Sequence, residues 1–269
     1  MDLHLTGKTA LVSGSTAGIG LAIASGLALE GASVYVNGRT DTRVQQAVQQ
    51  VQALKLEAKQ SQGTVEGITA DLGNVEGCVE LFSQLPNVDI LVNNLGIFEA
   101  KLFAQISDED WRRFFEVNVM SGVRLSRQYL PGMLKHNWGR ILFISSESAV
   151  QIPVEMIHYG MTKTAQLAVA RGLAESVAGS GVTVNSILAG PTRSEGVAGF
   201  VGGVAAQKGV SEAQVEKEFF DTVRPSSLIK RFASTEEVAS LVVYIASEQS
   251  SATTGAALRV DGGVVRSIL

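Results

Sequence analysis

Tyr159 and Lys163 stand four residues apart in the run HYGMTK at 158–163. On a helix that spacing places two side chains on one face, a turn apart. A free phenol titrates at about 10 and is a poor base at neutral pH. A nearby ammonium favours the phenolate and lowers that value, at about 1.4 kcal/mol for each unit. Tyr159 is therefore a candidate proton donor and Lys163 the cation that tunes it. A lone Tyr-x-x-x-Lys is more often a surface pair, so the reading needs company. Ser146 supplies it, ahead of the tyrosine and at the end of an apolar run. Its hydroxyl can hold a substrate oxygen where charge builds in a transition state. Ser145 is the rival, but the spacing to Tyr159 favours Ser146. Asn118, further upstream, would hold a water linking Lys163 to solvent. His158 has a tempting ordinary pKa of about 6.5, yet its position sends it in another direction from Tyr159. Glu147 is expected to point away from the site, which leaves Ser148 as the better pocket candidate.

These groups need elements to position them. Short β-branched runs alternate with helical patterns along the chain. Strands are expected at 9–13, 33–37, 65–71, 88–94, 139–146, 182–188 and 257–260. Helices are expected at 18–31, 41–59, 74–85, 107–135, 154–178 and 234–247, with Ser107 and Asp110 forming a variant capping box. Such alternation means crossover units, an α/β class, and a parallel sheet covered on both faces. One domain over 1–269 accommodates all of it. The irregular stretch at 190–232 carries a charged helix around 211–223. A long excursion inside a compact domain is usually functional, and a lid over the substrate is the expectation. Ile152, Pro153, Met156, Phe200 and Phe219 would make the pocket largely apolar. Glu195, with Arg193, would offer it polar contacts.

The run GSTAGIG at 14–20 lies between the first strand and the first helix. Glycines there permit positive φ and close backbone approach, and free N–H groups at a helix start hold a phosphate. Gly14, Ser15, Thr16, Gly18, Ile19 and Gly20 are the candidate cradle. The spacing is G-x-x-x-G-x-G, not the commoner G-x-G-x-x-G. At the end of the second strand the chain reads NGRT, with Arg39 where NAD binders often carry an acid. A guanidinium suits a 2′-phosphate, so NADP(H) is preferred over NAD(H). The alternative leaves Arg39 as a solvated charge stacked on adenine.

Composition excludes other classes. The formal net charge is −4 with no basic stripe, which argues against nucleic acid. The single cysteine, Cys78, rules out an intrachain disulfide and a cysteine zinc cluster, and suits a reducing cytoplasm. No metal site is expected. Residues 9–29 lack charge and contain G-x-x-x-G. Their glycines and hydroxyls make them too polar for a membrane span.

Together the motifs resemble those of the short-chain dehydrogenase/reductase family over essentially the whole chain. They run Gly14-x-x-x-Gly18-Ile19-Gly20, Asp71-Leu72, Asn93-Asn94-Leu95-Gly96, Asn118, Ser146, Tyr159-x-x-x-Lys163, Asn185 and Asp261-Gly262-Gly263. The resemblance implies a Rossmann-type doubly wound sheet of about seven parallel strands. It implies a nicotinamide-dependent oxidoreductase acting on a carbonyl or secondary alcohol, 3-oxoacyl-reductase-like. A sugar or polyol dehydrogenase and a non-catalytic NADP-binding regulator are the alternatives. Asn118, Ser146, Tyr159 and Lys163 would be catalytic. Asp71 and Leu72 would lie by adenine, and Asn94 and Gly96 along the cofactor, which Tyr159 and Lys163 also touch. Gly190, Thr192 and Ser194 would hold the carboxamide. A homotetramer or homodimer is implied, built through helices and the C-terminal strand. The chain departs from the family pattern at Ser13, Leu95, Ala189 and Ser194.

Overall fold

The computed structural model describes residues 2–268, with the side chain of Phe200 outside the described set. Seven strands form one parallel sheet in the order β3-β2-β1-β4-β5-β6-β7. They are β1 Thr9–Val12, β2 Ser33–Gly38, β3 Val65–Thr69, β4 Ile90–Asn93, β5 Gly139–Ser146, β6 Val182–Ala189 and β7 Ala257–Val260. The helices between them are α1 Gly18–Leu29, α2 Asp41–Glu57, α3 Val75–Gln84, α4 Asp108–Phe115, α5 Ser121–Lys135, α6 Ile157–Ser176, α7 Glu195–Lys208, α8 Glu212–Glu218 and α9 Thr235–Ile245. The central strands are buried on both faces: every residue of β4, β5 and β6 is buried. That explains their unbroken apolar runs, since each side chain meets a helix layer whichever way it points.

Two cores flank the sheet. Val12, Ile23, Leu27, Val36, Val51 and Val242 belong to the one shared with α1, α2 and α9. Leu11, Leu81, Leu125, Tyr129, Phe143 and Val184 belong to the other, shared with α3, α5 and α6. The chain direction across the sheet reverses between β1 and β4, and a crevice opens outside the carboxyl ends of strands at such a point. The sequence segment 9–29 is β1, a turn and α1 rather than a span. No described helix is long and apolar enough to cross a membrane.

The long helix expected at 107–135 is present, but it contains a π-helical turn at Glu116–Met120 between α4 and α5. Its start carries the capping box, with Ser107 and Asp110 each bonding the other's backbone. The segment after β6 leaves the sheet and returns through a narrow neck. Thr192 bridges Ala233, Arg193 N donates to Ala233 O at 2.8 Å, and Ala233 N donates to Pro191 O at 2.9 Å. Beyond the neck α7, α8 and a π-helical turn at Phe219–Val223 enclose a small core of Val201, Ala205, Val215, Phe220 and Phe232.

Candidate active site

The glycine turn after β1 is shaped by backbone and by one buried amide. Gly14 and Gly18 take φ of +61° and +56°, which side chains rarely tolerate. A Cβ on Gly20 would lie 2.6 Å from Gly14 O. Asn37 of β2, a residue sequence reasoning passed over, stitches the turn in place. Its Oδ1 accepts from Gly14 N at 3.1 Å, its backbone N donates to Ser15 Oγ at 3.0 Å, and its Nδ2 donates to Ile68 O and Ala70 O. Asn94, after β4, donates from Nδ2 to Ser13 O and Gly14 O, both at 3.0 Å. Ser13 keeps the hydroxyl that the family pattern puts there: its Oγ accepts from Asn94 N and Leu95 N.

Helix α1 opens with Ala17 at its N-cap, without a side-chain cap and without an acid in its first turn. Its first N–H groups and the positive end of its dipole face the turn, the arrangement that holds a phosphate. Thr16 packs on Gly38, so the exposed Arg39 follows directly beside the cradle. These residues fit the phosphates of a dinucleotide. Asp71 is exposed at the end of β3, where Oδ1 accepts from Gly73 N, while the Leu72 side chain is buried in the core. At the far side Gly190 packs against Asp261, Thr192 Oγ1 donates to Gly190 O at 2.9 Å, and Ser194 lies against Gly18. Ile19 packs partly against the core beneath the turn.

Ser146 ends β5, and Tyr159 and Lys163 occupy the first turns of α6. Gly160 lets them meet. A Cβ there would lie 2.6 Å from Ile152 and 3.0 Å from Ser148 O, so glycine brings α6 down on the segment after β5. Tyr159 lies beside Ser146. Ser145 faces the other way, and its Oγ donates to Lys163 O at 3.0 Å. The strand alternation thus decides between the two serines. Gly96 lies beside both Asn118 and Lys163, and the Phe98 ring meets the Tyr159 ring edge-on at 6.4 Å.

Two expectations need correction, and a third concerns the contacts of Asn118. The phenol is not acidified: burial pushes Tyr159 up to about 12, opposed by the neighbouring Ser146 and Arg224, and reinforced by Glu147. Lys163 Nζ lies 5.6 Å from the ring centroid and donates instead to Ile144 O at 2.8 Å. Burial pulls Lys163 itself down to about 8. Second, Glu147 does not turn away. It is 4% exposed, and its Oε2 accepts from Ser146 Oγ at 2.6 Å and from Ser148 Oγ at 2.7 Å. A serine at a strand end gives no sequence signal that the next side chain will curl back on it. Third, the Asn118 amide is committed to Ile97 N, Ile97 O and Thr162 Oγ1. The backbone carbonyl of Asn118 accepts from Gln166 Nε2 at 2.6 Å, and Gln166 Oε1 lies 3.4 Å from Lys163 Nζ. The buried amide of Gln166 thus links Lys163 to Asn118.

The pocket expectations divide. Ser148 is buried beside Ser146, Ile152 is half exposed on Gly160, and Met156 precedes α6 as its N-cap. Phe219 instead packs on Phe220 and Phe232 inside the excursion, with ring centroids 5.0 and 5.1 Å away. Glu195 is paired with Arg43 of α2 at 3.0 Å, and Arg193 with Glu212 and Glu216. Phe200 has its side chain outside the described residues. His158 is fully buried against Phe114 and Trp111, and burial lowers its pKa, which fits a bystander. No group of acids, histidines and cysteines able to hold a metal occurs among the described residues.

Known proteins share this arrangement. The family profile described as enoyl-(acyl carrier protein) reductase matches residues 14–265. The oxidoreductase YvaG of Bacillus subtilis (strain 168) is 48% identical over 268 residues, covering 100% of both chains. The 3-oxoacyl-[acyl-carrier-protein] reductase FabG of Aquifex aeolicus (strain VF5) is 31% identical, covering 98% of this chain and 100% of its own. The crystal structure of L-sorbose reductase from Gluconobacter frateurii, complexed with NADPH and L-sorbose, superposes with a TM-score of 0.91 at 32% identity and covers 100% of both chains. With the parallel sheet, the glycine turn and the Ser146–Tyr159–Lys163 cluster in one crevice, the chain belongs to the short-chain dehydrogenase/reductase family of nicotinamide-dependent oxidoreductases.

Proposed function

We propose that this chain is an NADP(H)-dependent carbonyl reductase in which Tyr159 hands a proton to the substrate oxygen. The observation that carries the reading is that Ser146, at the carboxyl end of β5, is brought beside Tyr159, with Lys163 one turn along α6. The nicotinamide supplies the hydride when bound. Ser146 holds the substrate oxygen, Lys163 carries charge beneath the phenol, and Asn118 fixes the Ile97 backbone beside them. Burial keeps the phenol protonated at neutral pH, the form that can donate to a substrate oxygen. Gly14, Ser15, Thr16, Gly18, Ile19, Gly20, Asn94 and Gly96 form the dinucleotide bed. Asp71 and Leu72 serve the adenine end, and Gly190, Thr192 and Ser194 the nicotinamide end. Arg39 answers a 2′-phosphate. The body beyond the 192–233 neck acts as the lid.

The substrate is a small ketone, with a secondary alcohol as product. Exposed Phe98, Leu102, Phe103, Ile152 and Leu228 give apolar surface in the segments after β4, after β5 and before α9, which suits a 3-oxoacyl thioester. A second reading, a sugar or polyol, draws on the buried Glu147 and Ser148. Strand β7 alternates exposed and half-buried residues at the sheet edge, as an assembly surface for a homodimer or homotetramer would. The buried free thiol of Cys78 accords with a cytoplasmic setting.

A screen of oxoacyl thioesters, diketones and sugars, followed by NADPH absorbance, tests the reading. Tyr159→Phe is expected to abolish turnover and leave NADPH binding intact. Near-normal turnover of that variant would sink the mechanism. NADPH binding without turnover of any ketone by the unaltered protein would favour a regulatory binder.

A further inference from the structure

Glu147 is a buried carboxylate that the mechanism above does not use, and it touches the mechanism's serine. Its Oε2 takes the hydroxyl protons of Ser146 and Ser148. Its Oε1 accepts from Arg224 Nε at 2.9 Å. Arg224 comes from beyond the neck, immediately after the π-helical turn at Phe219–Val223. Its side chain is 13% exposed, and its Nη1 also lies 3.5 Å from Glu155 Oε1, just ahead of α6. The inserted body therefore reaches Ser146 through one guanidinium and one carboxylate.

We propose that Glu147 and Arg224 are a positioning pair that makes Ser146 available to the substrate only while the inserted body is seated. The proposal rests on the reading of Ser146 and Tyr159 as the reacting groups. A serine hydroxyl has one proton. While Ser146 donates to Glu147, it cannot donate to a substrate oxygen. A carboxylate without its counter-ion holds that proton harder, and it sets a negative charge beside the oxygen where more is about to form. Arg224 shares that charge, so the proton can turn to the substrate. The body that carries Arg224 has its own core, joins the sheet at the neck, and is tied to the turn after β7 by Ser226 Oγ to Val264 O and Leu228 N to Gly262 O. Its departure removes the counter-ion.

The charged groups around the phenol are few. Lys163 lies on α6 and Glu155 before it; Glu147 follows β5; Arg224 comes from the insertion. Glu99 and Lys101, after β4, are engaged by Arg113 and Asp110. The test is therefore a charge cycle on the full chain: Arg224→Gln, Glu147→Gln and the double variant. The readouts are kcat, KM, the pH profile of alcohol oxidation, and NADPH affinity. Arg224→Gln should lower kcat on the order of 100-fold through a misdirected hydrogen bond and uncompensated charge. Its oxidation profile should move to higher pH, because Glu147 then opposes the phenolate unaided. The double variant should recover at least about tenfold over Arg224→Gln and return the pH profile, with NADPH affinity unchanged throughout.

Losses that simply add in the double variant would overturn the proposal. So would an Arg224→Gln enzyme with the original kcat and pH profile. If Arg224→Gln fails to fold, Arg224→Lys keeps the charge and loses the directed Nε bond. It should then retain the pH profile at reduced kcat, and a profile displaced as far as full neutralisation predicts would count against the pair. Tyr159→Phe assayed alongside separates the two layers. Tyrosine-dependent turnover with an additive cycle refutes only the pair, whereas tyrosine-independent turnover removes the reading beneath it.

Discussion

Gln166 lies three residues beyond Lys163, on the inward side of α6, and is 2% exposed. Its amide satisfies two buried groups at once, the Asn118 carbonyl and one proton of the Lys163 ammonium. Gln166→Leu leaves that carbonyl without its partner, at a cost of about 1–3 kcal/mol. It also takes an acceptor from the charged form of Lys163. The lysine should therefore lose its proton below its present value of about 8. Titration of the side-chain nitrogen by NMR checks the sign, and an unchanged or raised midpoint contradicts the link. The residue scale was partly legible in sequence. Tyr159 and Lys163 could be named because their spacing is one helical turn, and Ser146 and Asn118 because their order along the chain resembles a family pattern. Gln166 and Glu147 could not be, because their roles arise from where neighbouring elements leave a buried carbonyl and a serine proton.

At the scale of elements, the glycine turn illustrates local rules at work. Gly20 sits where β1, the turn and the loop after β4 converge, and a methyl there meets the Asn94 amide as well as Gly14 O. Gly20→Ala should weaken NADPH binding at least about tenfold, since the phosphate cradle is backbone and must shift to admit it. Fluorescence titration with NADPH measures it. Gly199→Ala is the control: its added methyl meets nothing within 4 Å on α7, so affinity should stay unchanged. The capping box of Ser107 and Asp110 was visible in the sequence, because caps depend on residues a few positions apart. The π-helical turn at Glu116–Met120 was not. It is a one-residue adjustment around Asn118, bonded at once to Ile97, Thr162 and Gln166, which no periodicity within the helix encodes.

Across the whole molecule, strand order decides which loops face one another. Placing β1 between β2 and β4 brings Arg39, Gly14 and Asn94 to one crevice from three separate parts of the chain. Arg39→Asp should weaken NADPH far more than NADH, by replacing a phosphate partner with a like charge. Paired equilibrium titrations check this, and equal losses would refute the 2′-phosphate role. The sequence by itself determined the α/β class, the strands and the helices apart from α7, the phosphate turn and the Tyr–Lys register. Those follow from local propensity, hydrophobic periodicity and short fixed spacings. Only the tertiary structure decided that Glu147 and Arg224 join the serine to a separate helical body, and that an amide links Lys163 to Asn118. These contacts connect residues tens of positions apart, and burial then sets their proton affinities. Both are properties of the packed interior, which no short stretch of chain contains.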